Sequence, residues 1–274
     1  MTYELSPGVI YRMPTHFGPA PGPRQHPDGR RRQASATRET STAWVRAVVD
    51  SNALDALLPP GFTRPAGQAT IKVKAQSLRG VEWLAGRGYD LVEVSTPVRY
   101  TTADGDRLPG DLALVLWENR ADPIISGREE LGFPKLFADI APIVVDIRTP
   151  SVRTGVSWDG YTFLALEVTD LVDDPAPAPT PPMLHCKYLP ATGDWGAADS
   201  SYVTLTPPDN PLAVTVRRTR GTGSLRLDRA TFEQLPTLLH VVNGLCDLRP
   251  GPVVEAGAQR TVGAKTLDDQ RRLA

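Results

Sequence analysis

The chain is poor in cysteine, histidine and lysine, has no excess of either charge, and carries no long apolar run. Cys186 and Cys246 are its only cysteines, with no C-x-x-C spacing, so neither a disulfide framework nor a thiolate metal cluster is written into it. Both lie in apolar stretches and read as buried, reduced thiols. The four histidines, His16, His26, His185 and His240, form no H-E-x-x-H and no i, i+4 pair, so no metal site is predicted. The first residues, Met1 to Leu5, lack the basic and apolar regions of a signal peptide, and no apolar run approaches the ~20 residues of a membrane helix. Thirty basic side chains stand against 31 acidic ones. That balance argues against nucleic acid or an anionic membrane as partner, and a cytoplasmic protein is expected. Lysine is the scarcest charged residue: Lys72, Lys74, Lys135, Lys187 and Lys265 are all there are, the other 25 basic residues being arginine.

What is present is enough for one packed domain spanning 1–274, with 41% hydrophobic and 22% charged residues. Residues 13–33 are rich in Pro, Gly and Arg and read as an extended arm, its Arg30-Arg31-Arg32 triplet as a solvated turn. Residues 43–50 read as a strand, and a short helix is expected over 52–58, with Ser51 as N-cap and Pro59-Pro60 as its stop. Alternating or apolar runs then predict strands at 69–76, 89–100, 111–117, 136–149, 152–158, 161–168, 183–189, 202–205 and 213–227. A helix is expected at 230–241, a proline-rich connector at 173–182, and a flexible tail at 259–274. Short connections favour antiparallel pairing. The fold class is therefore α+β: a large, curved, mostly antiparallel sheet or barrel enclosing a small cavity, with few short helices. Gly155 to Gly160 has its second glycine one place too late for a nucleophile elbow and reads as a hairpin turn; Gly221-Thr222-Gly223 lacks the rest of a dinucleotide fingerprint.

The most unusual stretch runs from Asp122 to Phe137. A short helix is expected near 126–131, Gly132 can end it, and Pro134 keeps the chain extended into the next strand. Lys135 sits at that junction between Phe133, Leu136 and Phe137. Pointing inward, its amine leaves water and is available in the neutral, nucleophilic form a Schiff base requires, which a guanidinium cannot supply. Pointing outward, it is an ordinary lysine at a strand edge.

Gly127-Arg128-Glu129 followed by Phe133-Pro134-Lys135 resembles the signature of the acetoacetate decarboxylase family. So do Trp117-Glu118-Asn119 upstream, Phe137-Ala138-Asp139 downstream, the Met13-Pro14…Phe17-Gly18-Pro19 arm, the His185-to-Pro190 strand and Gly223 to Leu227. The resemblance spans roughly residues 13–258. It implies that Lys135 attacks a substrate ketone and that the iminium serves as electron sink, with no metal or organic cofactor. It implies a small oxo-acid substrate and a homo-oligomer. It also matches Glu93 to a family carboxylate that handles protons or orients substrate.

Two positions depart from the decarboxylase pattern. Leu136 stands where those enzymes carry a second lysine, and the strand holding Lys72 and Lys74 has no carboxylate where they have a glutamate. Lys72 or Lys74 pointing inward would bind a substrate carboxylate instead; pointing outward, it faces water. Relatives lacking these groups resemble aldolase-dehydratases, which condense 2-oxo acids with aldehydes through the same imine. Arg128 either anchors a substrate carboxylate or ties down its own helix. The family's N-terminal arginine corresponds to Arg24 or Arg38. Trp117 and Tyr188 are candidate cavity walls. A β-keto acid decarboxylase is the leading expectation, an aldolase-dehydratase the next, and a carbonyl- or lipid-binding protein without turnover the alternative of another class.

Overall fold

The computed structural model describes residues 5–146, 150–174, 180–208 and 212–273. Residues 175–179, the middle of the proline-rich connector, and 147–149, the end of the strand expected at 136–149, lie outside the described residues.

The first half of the sheet follows the alternation in the sequence. Strand β1 (Ser35–Val48) is followed by helix α1 (Ser51–Leu57) and the two-residue β2 (Phe62–Thr63). Then come β3 (Thr70–Arg79), β4 (Tyr89–Thr101) and β5 (Arg107–Glu118), and β1-β3-β4-β5 pair antiparallel in that order. The N-cap of α1 is Asp50, whose carboxylate accepts the Ala53 N–H at 2.9 Å, and Ser51 is the first helical residue.

After β5 the chain leaves the sheet through α2 (Ala121–Ser126) and a π-type turn (Gly127–Leu131), ended by Gly132 in the left-handed region at φ 82°. It returns as β6 (Lys135–Phe137), parallel to β5. The run expected as one strand over 136–149 is broken into β6, β7 (Asp139–Ile140) and β8 (Val144–Asp146); Pro142, which has no N–H to give to a ladder, lies in the gap. Strands β9 (Ser151–Trp158) and β10 (Tyr161–Asp173) form the expected hairpin, its Asp159-Gly160 turn left-handed at both residues (φ 47° and 84°) as a type I′ turn demands.

Strands β11 (Met183–Pro190), β12 (Ala198–Thr206) and β13 (Val214–Leu227) follow. Helix α3 (Leu239–Asp247) starts nine residues later than expected. Pro236 interrupts the periodic stretch, removing an N–H and pushing Leu235 away from helical backbone, so the residues before Leu239 form turns. The supposed tail is built into the sheet: β14 (Val253–Ala264) pairs with β1 and β13, and β15 (Arg271–Arg272) with β12. The long path reads β15-β12-β11-β5-β4-β3-β1-β14-β13-β10-β9-β7. It is an open, mostly antiparallel sheet and not a closed barrel. Among the described residues, no helix is long and apolar enough to cross a membrane.

The two faces of β3, β4 and β5 are both covered, by different chemistry. One face carries Ile71, Val73, Ala75, Val92, Val94, Val115 and Trp117 into the main core, where Val242 and Leu245 of α3 and Phe163 also pack. The other carries the charged residues. In register across five strands it presents Trp44, Lys74, Glu93, Leu116 and Lys135. A bulge between Val94 and Ser95 shifts the phase of β5 by one residue. Glu118 and Asp111, seven residues apart and otherwise on opposite faces, thereby share this one.

Candidate active site

Lys135 is 7% exposed, and its side chain points inward. Parallel pairing sets Leu116 beside Lys135 and Glu118 beside Phe137, so Glu118 and Lys135 project from neighbouring strands onto one face. Lys135 Nζ lies 2.8 Å from Glu118 Oε1 and donates to the Pro123 carbonyl at 3.0 Å. It also sits 5.3 Å from the centre of the Phe133 ring. Glu118 is wholly buried, and neither of its oxygens has another partner among the described residues. Burial pushes its carboxyl above the ordinary range, with Lys135 opposing that rise. A carboxyl raised this way takes a proton from an adjacent ammonium more readily than an exposed one does.

The Gly-Arg-Glu segment is shaped around this lysine. A Cβ at Gly127 would lie 2.6 Å from Lys135 Cδ and Cε and 2.7 Å from Nζ, so only glycine lets the side chain pass. Arg128 donates from Nη1 to the Lys135 carbonyl at 2.8 Å, which makes it a clamp on the Lys135 backbone. The Glu129 carbonyl accepts from Lys187 Nζ at 2.6 Å. Glu130 is held by Arg12 and Arg24 of the N-terminal arm, Arg24 Nε at 2.8 Å. Arg24 is thus spent on Glu130, and Arg38 is paired with Glu82.

Glu93 faces the site, 6% exposed, and pairs with Lys74 at 3.0 Å. Lys72, two residues along β3 on the same face, lies 5.5 Å from the Trp44 ring. Burial depresses its pKa, and Lys74 and Arg46 add to the effect. Asp111 is pushed up by burial. Both β3 lysines therefore point to the Lys135 face, as the inward alternative required. Trp117 does not: it is buried on the opposite face, 5.3 Å from Phe163 between ring centres, because it pairs with Leu136 and not with Lys135. Tyr188 is half exposed, its hydroxyl donating to the Ala197 carbonyl at 3.2 Å.

Two residues of the site were not singled out in the sequence. Glu118 lay in the Trp-Glu-Asn match, but its partnership with Lys135 depends on the β5–β6 register. His185, on β11, stacks on Phe133 with ring centres 4.0 Å apart, and burial holds it neutral by lowering its pKa to about 3. A lone histidine in an apolar strand gives no local signal. Among the described residues, no group of three or more His, Cys, Asp or Glu side chains is placed to hold a metal ion. Cys186 and Cys246 are free, partly buried thiols, burial raising Cys186 to about 11.

The sequence profile described as acetoacetate decarboxylase matches residues 12–245. The chain belongs to the acetoacetate decarboxylase family. Solved structures share the fold at low identity. An acetoacetate decarboxylase from Legionella pneumophila is 16% identical, with TM-score 0.66 over 98% of both chains. The enduracididine biosynthesis enzyme MppR complexed with pyruvate is 18% identical, with TM-score 0.63 over 86% of this chain and 89% of that one. MppR is also known complexed with the condensation product of pyruvate and imidazole 4-carboxaldehyde. An acetoacetate decarboxylase-like enzyme from Sphingomonas wittichii RW1 is 18% identical, with TM-score 0.61 over 86% and 92% of the chains. No curated protein matches by sequence.

Proposed function

We propose that this protein is a Schiff-base-forming lyase that acts on a small oxo acid through Lys135. The observation that carries the reading is the buried Lys135–Glu118 pair, 2.8 Å apart, inside the family's Gly-Arg-Glu to Pro-Lys segment. Glu118 accepts the ammonium proton, and the neutral amine adds to the substrate carbonyl. Loss of water gives the iminium. In a β-keto acid the bond to the carboxylate then breaks, its electrons moving into the iminium as CO₂ leaves. Protonation of the resulting enamine and hydrolysis release the ketone. The imine is itself the electron sink, so the reading calls for no metal or organic cofactor.

Glu93 is assigned to proton transfer or substrate orientation beside the reacting carbons, and Lys72 and Lys74 to the substrate carboxylate. Arg128 is assigned to positioning Lys135, since its Nη1 is engaged by that residue's carbonyl. Homo-oligomerisation belongs to the same reading: Val172, Val214, Val216 and Val254 leave apolar surface exposed on the adjacent strands β10, β13 and β14.

A second reaction deserves equal testing because of Lys74 and Leu136. A cation facing the substrate favours keeping its carboxylate rather than expelling it. The complex of MppR, which shares the fold, with the condensation product of pyruvate and imidazole 4-carboxaldehyde supports the same alternative: an enamine from a 2-oxo acid that adds to an aldehyde and loses water. Product analysis separates the two. Acetoacetate yielding CO₂ and acetone supports decarboxylation; pyruvate plus an aldehyde yielding an α,β-unsaturated 2-oxo acid supports condensation. Turnover of neither, with Lys135→Arg binding oxo acids like the native protein, leaves a binding protein.

A further inference from the structure

We infer that His185 is a further catalytic residue, whose Nδ1 lone pair accepts a hydrogen bond from the O–H of the carbinolamine formed at Lys135. This rests on the Schiff-base reading above. The tautomer of His185 is set by way of the side-chain amide of Gln270. Gln270 Nε2 donates to the Leu131 carbonyl at 3.0 Å and to Thr204 Oγ1 at 2.9 Å, and Thr204 gives its own proton to the Leu131 carbonyl at 2.8 Å. Gln270 Oε1 is therefore an acceptor. Thr206 Oγ1, 2.5 Å away, donates its single proton there. Toward His185 Nε2, at 3.1 Å, the same oxygen can only accept. The imidazole proton is thus on Nε2, and Nδ1 is a bare lone pair.

That lone pair is buried and has no partner among the described residues, in a side chain 1% exposed. A buried acceptor without a donor is costly, and its persistence calls for a group that completes it in use. The place adjoins the reaction centre. The ring stacks on Phe133, the same ring that faces Lys135 Nζ, and the positive charges of Lys135 and Lys74 oppose its protonation. With its pKa lowered to about 3, the imidazole orients a donor and does not carry the proton itself.

An O–H arises at this centre in every turnover. Water adds to the iminium carbon, the C–O bond forming as the π pair returns to nitrogen, and the released proton goes to the Glu118 carboxylate. That proton then passes to nitrogen, the C–N bond breaks with its electron pair going to nitrogen, and the carbinolamine O–H proton moves to Glu118 as the carbonyl forms. His185 holds the O–H as water adds and until the C–N bond breaks, releases it as the proton moves to Glu118, and keeps its own proton throughout.

The test is exchange of the carbonyl oxygen of acetone, and of the keto oxygen of pyruvate, with ¹⁸O-labelled water, alongside borohydride trapping. His185→Phe keeps a ring on Phe133 and removes the acceptor; exchange should fall at least about tenfold, the scale of one lost hydrogen bond. His185→Asn restores an acceptor near the Nδ1 position and should recover most of the exchange. In the native protein, ¹⁵N NMR should show the Nε2–H tautomer, a readout independent of any variant's folding. Unchanged exchange in a folded His185→Phe, or an Nδ1–H tautomer, overturns the inference while a Lys135 adduct leaves the Schiff-base reading standing. No adduct on native Lys135 overturns both.

Discussion

A single methyl group at position 127 would collide with the carbons and the nitrogen of the Lys135 side chain, which is buried and has nowhere to retreat. Gly127→Ala should therefore displace the amine from Glu118 and cost about 100-fold in kcat, the scale of an ångström-sized misplacement. Near-native secondary structure by circular dichroism should accompany that loss, and full activity in the variant would mean that Lys135 does not work from this position. His185 gives a second prediction at this scale. Its folded pKa, about 3, lies below the ordinary value of 6.5, so the stability it contributes is complete above pH ~6.5 and is lost as pH falls toward 3. Urea titrations from pH 7 to 5 should show native stability falling by about 2 kcal/mol more than that of His185→Phe. Parallel pH dependences would show that the ring is not held neutral by burial. Residue by residue, the sequence disclosed Lys135 through its neighbours and the orientation of Lys72 and Lys74 as one of two open choices. Glu118 and His185 were not legible, because each matters only through a register or a stack made by residues distant in the chain.

At the level of elements, the arm and the π-type turn act together. Arg12 and Arg24 both close on Glu130, and the Gln25 amide ties Ile10 and Ala20 into the same layer. Removing the shared carboxylate strands two largely buried guanidinium groups. Glu130→Ala should lower the free energy of unfolding by about 3 kcal/mol, measured in urea, and a loss under about 0.5 kcal/mol would show the arm to be loosely attached. Strands with clean alternation, such as β3, were legible to within a few residues, because one face meets the core and the other does not. The misplaced helix near 230 shows the limit of periodicity: Phe232, Leu235, Leu238 and Leu239 have helical spacing, but Pro236 breaks the backbone bonds that spacing assumes. Strand β14 was missed because Glu-Ala-Gly-Ala-Gln has no alternation of its own, and its place is fixed by pairing with β1 and β13.

Across the whole molecule, the open sheet separates an apolar face that holds the fold together from a charged face that has been drawn out of water. The five lysines divide accordingly. Lys265 is paired with Asp269 near the end of the chain, Lys187 is bound to the Glu129 carbonyl, and Lys74 is ion-paired with Glu93. Lys72, beside Trp44 and depressed by burial, is the nearest competitor as a nucleophile. Only Lys135 combines burial, a wholly buried carboxylate at ion-pair distance and a glycine cleared for its passage. Borohydride reduction in the presence of acetoacetate or pyruvate, followed by peptide mass spectrometry over all five lysines, tests this division directly. The expected result is one adduct, on Lys135, absent from Lys135→Arg. An adduct on Lys72, or none on any lysine, would contradict the account.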